Sequence, residues 1–461
     1  MSAHRLKDRL RRLTSTRQDH SKTSTATSSL PGWERLRATE KRTESGSFIL
    51  RKNYFPSSLQ HGHYRLDSLR EYAERLTPLC APSPETPLHC ERLLFFDAET
   101  TGLGVGAGNV PFLIGIGYFK AEVFVVEQLF MRNPAEEKAM LEYVLAIMEE
   151  RDVLVTYNGR AFDWPVMKNR QVLNRIASVS KPGDTEPIHL DFLYAARSLW
   201  KNTLESCRLS IIERERLGVE RIDDVPGAMA PSLYFRFLRE EDPALMRGVF
   251  EHNERDVLSL VALAICLGRL LSGEYDSKQL EAEELFRLGN WLERLGETEK
   301  AEKVFSRLIA RDDAGMERYW MPLALKYKRE GKWDQALALW KRSAARRGTF
   351  SSGAVNALIE LAKYYEHQQK DFETALTHAL EAKARWEARP LFREHGEEYR
   401  KRMMEMEHRI ARLRRKVRLK SSSGSKRIHA NTKRTHKPLQ QQWDMFVAET
   451  LFNGWQEEGN G

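Results

Sequence analysis

The chain predicts a mixed α/β domain, a sheet flanked by helices, followed by an all-α helical domain. Three observations carry this. Apolar runs of strand length alternate with helix-period segments between residues 91 and 272. From about 279 onward only helix-period segments remain. Within that second region one pattern of small and aromatic residues recurs every few dozen positions. A length of 461 residues accommodates two or three domains, and 41% hydrophobic content is enough to fill their cores.

Taken in order, residues 1–30 join a basic start (Arg5, Lys7, Arg9, Arg11, Arg12) to a Ser/Thr-rich stretch. Without an apolar core this is no secretory signal, and it reads as a disordered basic arm, with an organellar transit peptide as the alternative. Residues 31–90 mix turns with short extended segments such as Ser47–Arg51, which we expect to form an N-terminal extension packed on the α/β domain. Between 91 and 272 the expected order is a strand from Leu93 that carries Asp97 and Glu99 at its end, a strand over Val110–Phe119 and a strand over Val123–Arg132. A helix (Ala135–Glu150), a strand (Val153–Tyr157), a helix (Trp164–Leu173), a short strand at Ile188–Asp191 and further helices follow.

Carboxylates sit at the ends of these elements. Leu93-Leu94-Phe95-Phe96 runs straight into Asp97-Ala98-Glu99, and period-two alternation puts both acids on one side of the sheet. Crowded carboxylates repel unless a cation lies between them, which points to a divalent-metal site. Asn158-Gly159-Arg160-Ala161-Phe162-Asp163 brings a third acid after a strand, and His252-Asn253-Glu254-Arg255-Asp256 brings a fourth on a helix. Each has a bland reading by itself: Asp-x-Glu is common on solvated edges, Asn-Gly marks turns, and Asp256 suits a helix start. Asp191 closes a short apolar stretch and reads equally well as support for the site or as a structural residue. The glycines at 102, 104, 106 and 108 precede a strand rather than a helix, so they form a hairpin connection and not a dinucleotide loop.

The ordered set, Asp97-x-Glu99, then Asn158-Gly159 with Phe162-Asp163, then Asp256 before an apolar stripe, resembles the DEDD group of RNase H-like exonucleases. Within it the chain is similar to the bacterial YprB-type RNase H-like proteins over roughly residues 45–272, with the repeat region after it. The resemblance implies a mixed sheet flanked by helices and two Mg²⁺ or Mn²⁺ ions about 3.5–4 Å apart. It implies that Asp97 bridges both ions, that Glu99 and Asp256 serve the ion carrying the nucleophilic water, and that Asp163 acts on the second through water. One subgroup of this family carries a tyrosine four residues before the last Asp, and another a histidine five before it. Here His252 lies four before Asp256, the tyrosine spacing with histidine chemistry. Four residues apart share a helix face, so His252 is the candidate general base, against the alternative of a surface histidine.

The segments Gly296-x4-Ala301-x3-Phe305, Gly331-x4-Ala336-x3-Trp340 and Lys370-x4-Ala375-x3-Ala379 repeat within 279–390. They resemble tetratricopeptide repeats, in which the small residue lets paired helices approach, against the alternative of an ordinary helical bundle. Residues 391–438 read as a basic helix and linker. From Arg409 to Lys437 there are twelve basic residues and no acidic one, more than the whole chain's net +9, so the remainder is net acidic. Such a run binds phosphate backbones without reading sequence, or is a solvated linker. In the tail at 439–461, Gln442, Asp444, Met445 and Phe446 resemble the short motif by which bacterial DNA enzymes hold the sliding clamp; an amphipathic helix is the alternative.

Cys80, Cys90, Cys207 and Cys266 lack metal-ligand spacing, and no apolar run reaches transmembrane length. A cytoplasmic, nucleoid-associated bacterial protein is expected, without membrane contact. The leading expectation is a metal-dependent 3′→5′ exonuclease on single-stranded or frayed DNA, in repair, with a helicase and a sliding clamp as expected partners. An RNA-processing exonuclease and a non-catalytic scaffold recruiting partners through its repeats are the alternatives.

Overall fold

The computed structural model describes residues 32–102, 106, 108–176, 187–311, 315–346, 352–388 and 396–425. The basic arm, the far half of the basic run and the clamp-like residues Gln442, Asp444, Met445 and Phe446 lie outside these. The chain divides into two compact units, one through Arg311 and one from Asp312.

The first unit is built on a seven-stranded mixed sheet in the order β1-β2-β7-β6-β5-β8-β9. Its strands are β1 (Ala38–Thr43), β2 (Gly46–Pro56), β5 (Leu93–Thr100), β6 (Pro111–Lys120), β7 (Val123–Phe130), β8 (Val153–Thr156) and β9 (Ile188–Asp191). A two-residue hairpin, β3 (Gln60–His61) with β4 (Tyr64–Arg65), stands apart. Every pairing from β1 to β5 is antiparallel, while β5–β8 and β8–β9 are parallel. The strands expected from 91 to 191 are all present, and the mixed sheet with flanking helices is the fold class read from the sequence. All four residues of β8 are buried, as a parallel strand covered on both faces requires.

Residues 31–90 do more than pack on the sheet, because β1 and β2 are part of it. Trp33 anchors their start in an aromatic cluster, 5.2 Å from Phe130 and 5.7 Å from Phe237 by ring centroids. Phe112 stacks on Tyr234 in the same cluster, 4.2 Å apart and 6° from parallel. At the other rim, the backbone of Ala81 pairs with that of His189 on β9.

Helices α1 (Glu137–Glu150), α2 (Asp163–Leu173), α3 (Phe192–Trp200) and α4 (Ala230–Glu240) surround the sheet. Helix α5 (Arg247–Ser272) is the longest here, and from Val257 to Leu271 all but Arg269 are buried. Its apolar run is thus core, and no helix among the described residues is long and apolar enough to cross a membrane.

Helices α6 (Ala282–Arg294) and α7 (Thr298–Ala310) belong to this first unit. The boundary expected near 279 therefore falls after Arg311. The physical reason is a set of ties from α6 to the sheet unit: Arg287 donates to the Ser198 carbonyl (2.9 Å), Asn202 to Glu283 (2.9 Å) and Arg216 to Glu284 (2.9 Å).

The second unit is helical: α8 (Glu317–Arg329), α9 (Trp333–Ala345), α10 (Ser352–His367), α11 (Phe372–Glu387) and α12 (Glu397–Ser425). Each packs on the next. The three positions aligned in the sequence repeat, Gly296, Gly331 and Lys370, all adopt left-handed backbone at the turn between paired helices, with φ of 82°, 74° and 55°. The small and aromatic residues that follow each turn, Ala301 with Phe305, Ala336 with Trp340, and Ala375 with Ala379, are all buried.

Several of the basic residues have partners inside this unit, among them Lys420, whose Nζ donates to the Lys370 carbonyl (3.3 Å). Arg409, Arg412 and Lys416 of α12 converge on Glu366 of α10, at 3.0, 2.9 and 2.9 Å. Burial alone would raise the Glu366 pKa, yet the hydrogen bonds from Arg412 and Lys416 pull it down to about 2.

Candidate active site

Asp97 and Glu99 lie on β5, pointing to the side crossed by α5. Asp97 pairs in register with Gly115 on β6. A Cβ at Gly115 would come within 2.2 Å of the Asn253 side chain, so the bare glycine lets α5 seat its amide over the strand. Asn253, fully buried, donates to the Asp97 carboxylate (2.8 Å) and accepts from Gln128 (2.8 Å). That relay fixes the Asp97 side chain.

Asp163 opens α2 after the turn that follows β8. Asn158 holds this turn with φ of 66°, and the backbone N–H groups of Asn158 and Arg160 donate to Asp191 at 2.8 and 3.0 Å. Asp191 also accepts from the Leu193 N–H (3.0 Å), capping α3. Both of its oxygens accept from backbone, while its charge also raises the Asp163 pKa.

On α5, His252 and Asp256 sit one turn apart. His252 Nε2 is 3.6 Å from an Asp256 oxygen and 3.9 Å from a Glu99 oxygen. The four carboxylates form one electrostatic cluster. Burial, then the charge of Asp256, raises the pKa of Asp97. Burial, then Asp97, Asp256 and Asp163, raises Glu99 well above the usual carboxylate range. Asp163 is raised by burial, Asp97 and Asp191. Asp256 is raised by burial, less so because His252 and Arg221 oppose it.

These groups are near one another without forming a closed cage. Among the described residues no three His, Cys, Asp or Glu side chains are arranged to hold an ion as they stand. Asp256 gives one oxygen to Arg221 (2.5 Å), which is gripped from behind by the buried Glu213. Its other oxygen faces His252. The donor set is all oxygen with one imidazole, crowded and anionic, and so is chemically suited to hard divalent cations.

Residues that the sequence reading passed over complete the surroundings: Glu213, Arg221, Asp224 and Asn253. Arg221 and Asp224 lie in an irregular stretch, Arg221-Ile222-Asp223-Asp224-Val225-Pro226-Gly227, whose charges look like an ordinary solvated loop. Asn253 is adjacent to a singled-out residue, but its burial depends on Gly115, more than a hundred positions away.

A family model for the RNase_H superfamily matches residues 94–267, the stretch holding all four acids and His252. The Bacillus subtilis (strain 168) protein YprB is 35% identical over 351 residues, covering 75% of this chain and 83% of that one. The chain belongs to the YprB-type RNase H-like family. Membership supports a nuclease, a phosphodiester hydrolase with a nucleic-acid substrate, and such nucleases typically use divalent metals. The alignment with YprB extends well beyond the family-model match, so the relationship is not confined to the sheet domain.

Proposed function

We propose that the chain is a metal-dependent exonuclease of the DEDD type, cutting from the 3′ end of single-stranded or frayed DNA. One observation carries the reading: acids from β5, α2 and α5 share one cluster, and His252 points its Nε2 into it. Asp97, Glu99, Asp163 and Asp256 would hold two Mg²⁺ or Mn²⁺ ions, which when bound neutralise phosphate charge and acidify water. Asn253 keeps Asp97 in place, Arg221 leaves one Asp256 oxygen toward the cluster, and His252 Nε2 takes the proton from the attacking water.

DNA repair or maintenance is the proposed setting, with a helicase nearby and a nucleoid-associated cytoplasmic location. The recurring turns and buried small residues support tetratricopeptide-like repeats that hold a protein partner. The tail residues Gln442, Asp444, Met445 and Phe446 are proposed to hold a sliding clamp.

End-labelled single- and double-stranded DNA and RNA, incubated with Mg²⁺ or Mn²⁺, test the reading. The expected result is a ladder descending from the 3′ end of DNA, abolished by chelator and by Asp97→Ala. A ladder on RNA alone transfers the proposal to RNA processing. No cleavage of any polymer ends it.

A further inference from the structure

The Val219–Gly227 loop holds His252 at Nδ1 and passes close to its Nε2, and the proposed hydrolysis does not yet use that. Nδ1 lies 3.0 Å from each oxygen of Asp224. Asp224 is itself held: Arg221 donates to one oxygen (2.9 Å) and Arg255 to the other (2.8 Å). Arg221 in turn is pinned by Glu213 and by Asp256. On the far side of the ring, a Cβ at Gly227 would stand 3.3 Å from Nε2, so the glycine keeps that flank uncrowded.

We infer that Asp224 is a positioning residue, accepting the Nδ1–H of His252 and thereby turning a bare Nε2 toward Glu99 and Asp256. The inference rests on the nuclease reading, in which Nε2 must accept a proton. Hydrogen-bond chemistry selects this arrangement. A carboxylate only accepts, so an Nδ1 without hydrogen would set its lone pair against both Asp224 oxygens. A neutral imidazole that donates from Nδ1 necessarily carries its lone pair on Nε2. One contact pulls the other way. Arg221 Nη1 lies 3.1 Å from Nδ1, and as a donor it would favour hydrogen on Nε2. Against that single contact Asp224 sets both of its oxygens at 3.0 Å from Nδ1, and Arg221 Nη1 has a closer acceptor in Asp224 itself, at 2.9 Å.

The sequence offers no hint of this pairing. Asp224 and His252 are 28 positions apart, on a loop and a helix whose meeting depends on the Arg221 anchor. The arrangement also explains why a histidine works at the four-residue spacing: its far nitrogen is restrained from outside the helix.

The test is the full chain labelled with ¹⁵N-histidine and freed of metal, with His252 assigned by its loss in His252→Gln. Two-bond ¹⁵N–¹H correlations report the tautomer. Wild-type His252 is expected as Nδ1–H. In Asp224→Asn, whose amide donates to Nδ1, the hydrogen should move to Nε2. Turnover should then fall by about 10²-fold or more with KM within about twofold, and Asp224→Glu should recover part of it. An Nε2–H tautomer in the wild-type chain would overturn the inference in favour of Arg221 as the donor. Unchanged turnover in a folded Asp224→Asn protein would overturn it too. A wild-type chain that cuts no polymer refutes the nuclease reading alone, and the spectrum still decides whether Asp224 orients the ring.

Discussion

At the scale of single residues, the site is an electrostatic compromise. Glu99 is held where burial and four other acids, Asp97, Asp256, Asp163 and Asp224, all oppose its ionisation. Its pKa is raised on folding, so the unfolded chain loses this proton first and folding stability drops as pH rises above the ordinary carboxylate value. In chelator, Glu99→Gln removes that penalty. We expect the variant to melt with the wild type near pH 4.5 and above it at pH 8, by roughly 1–3 kcal/mol, while losing activity. Calorimetric melts across that pH range measure the difference, and a wild-type chain that grows more stable toward pH 8 would contradict it. Asp97, Glu99, Asp163, Asp256 and His252 were legible because each belongs to a short motif at an element boundary. Arg221, Asp224 and Asn253 were not, since long-range packing alone brings them to the acids.

At the scale of elements, the strands announced themselves through apolar runs, and even the short β9 was readable from Ile188-His189-Leu190-Asp191. Segments β1 and β2 were harder, because Lys41, Arg42, Arg51, Lys52 and Asn53 break the alternation and the second partner of β2 lies far downstream on β7. In the helical unit, Lys370 holds a left-handed turn that glycine fills at the equivalent Gly296 and Gly331. Lys370→Gly should therefore stabilise the unit by about 0.5–1 kcal/mol, read as a shift in urea midpoint. A second expectation concerns Glu366. Its pKa is depressed, so its contribution is complete above the ordinary value near 4.5 and disappears as pH falls toward 2. Glu366→Gln should cost on the order of 3 kcal/mol at neutral pH and flatten the acid limb of the stability curve. An unaltered acid limb would show that Arg409, Arg412 and Lys416 do not lean on this carboxylate. Those three cations also narrow the phosphate-binding expectation for the basic run to its outward residues, such as Arg414 and Arg415.

At the scale of the whole molecule, the sheet's rims are finished differently. One ends on β1, where Glu40, Lys41 and Arg42 stand in sequence and Arg132 reaches across to Glu40. The other ends on β9, where Ala81 bridges to His189. Removing residues 32–56 would strip β1 and β2 and bare the outer edge of β7, which is buried over seven of its eight residues. We expect that truncated chain to precipitate or form multimers in light scattering at concentrations where the intact one stays dispersed. Polymerisation by strand addition needs an unguarded row of amides and carbonyls, which a charged fringe interrupts on one flank and the Ala81 bridge interrupts on the other.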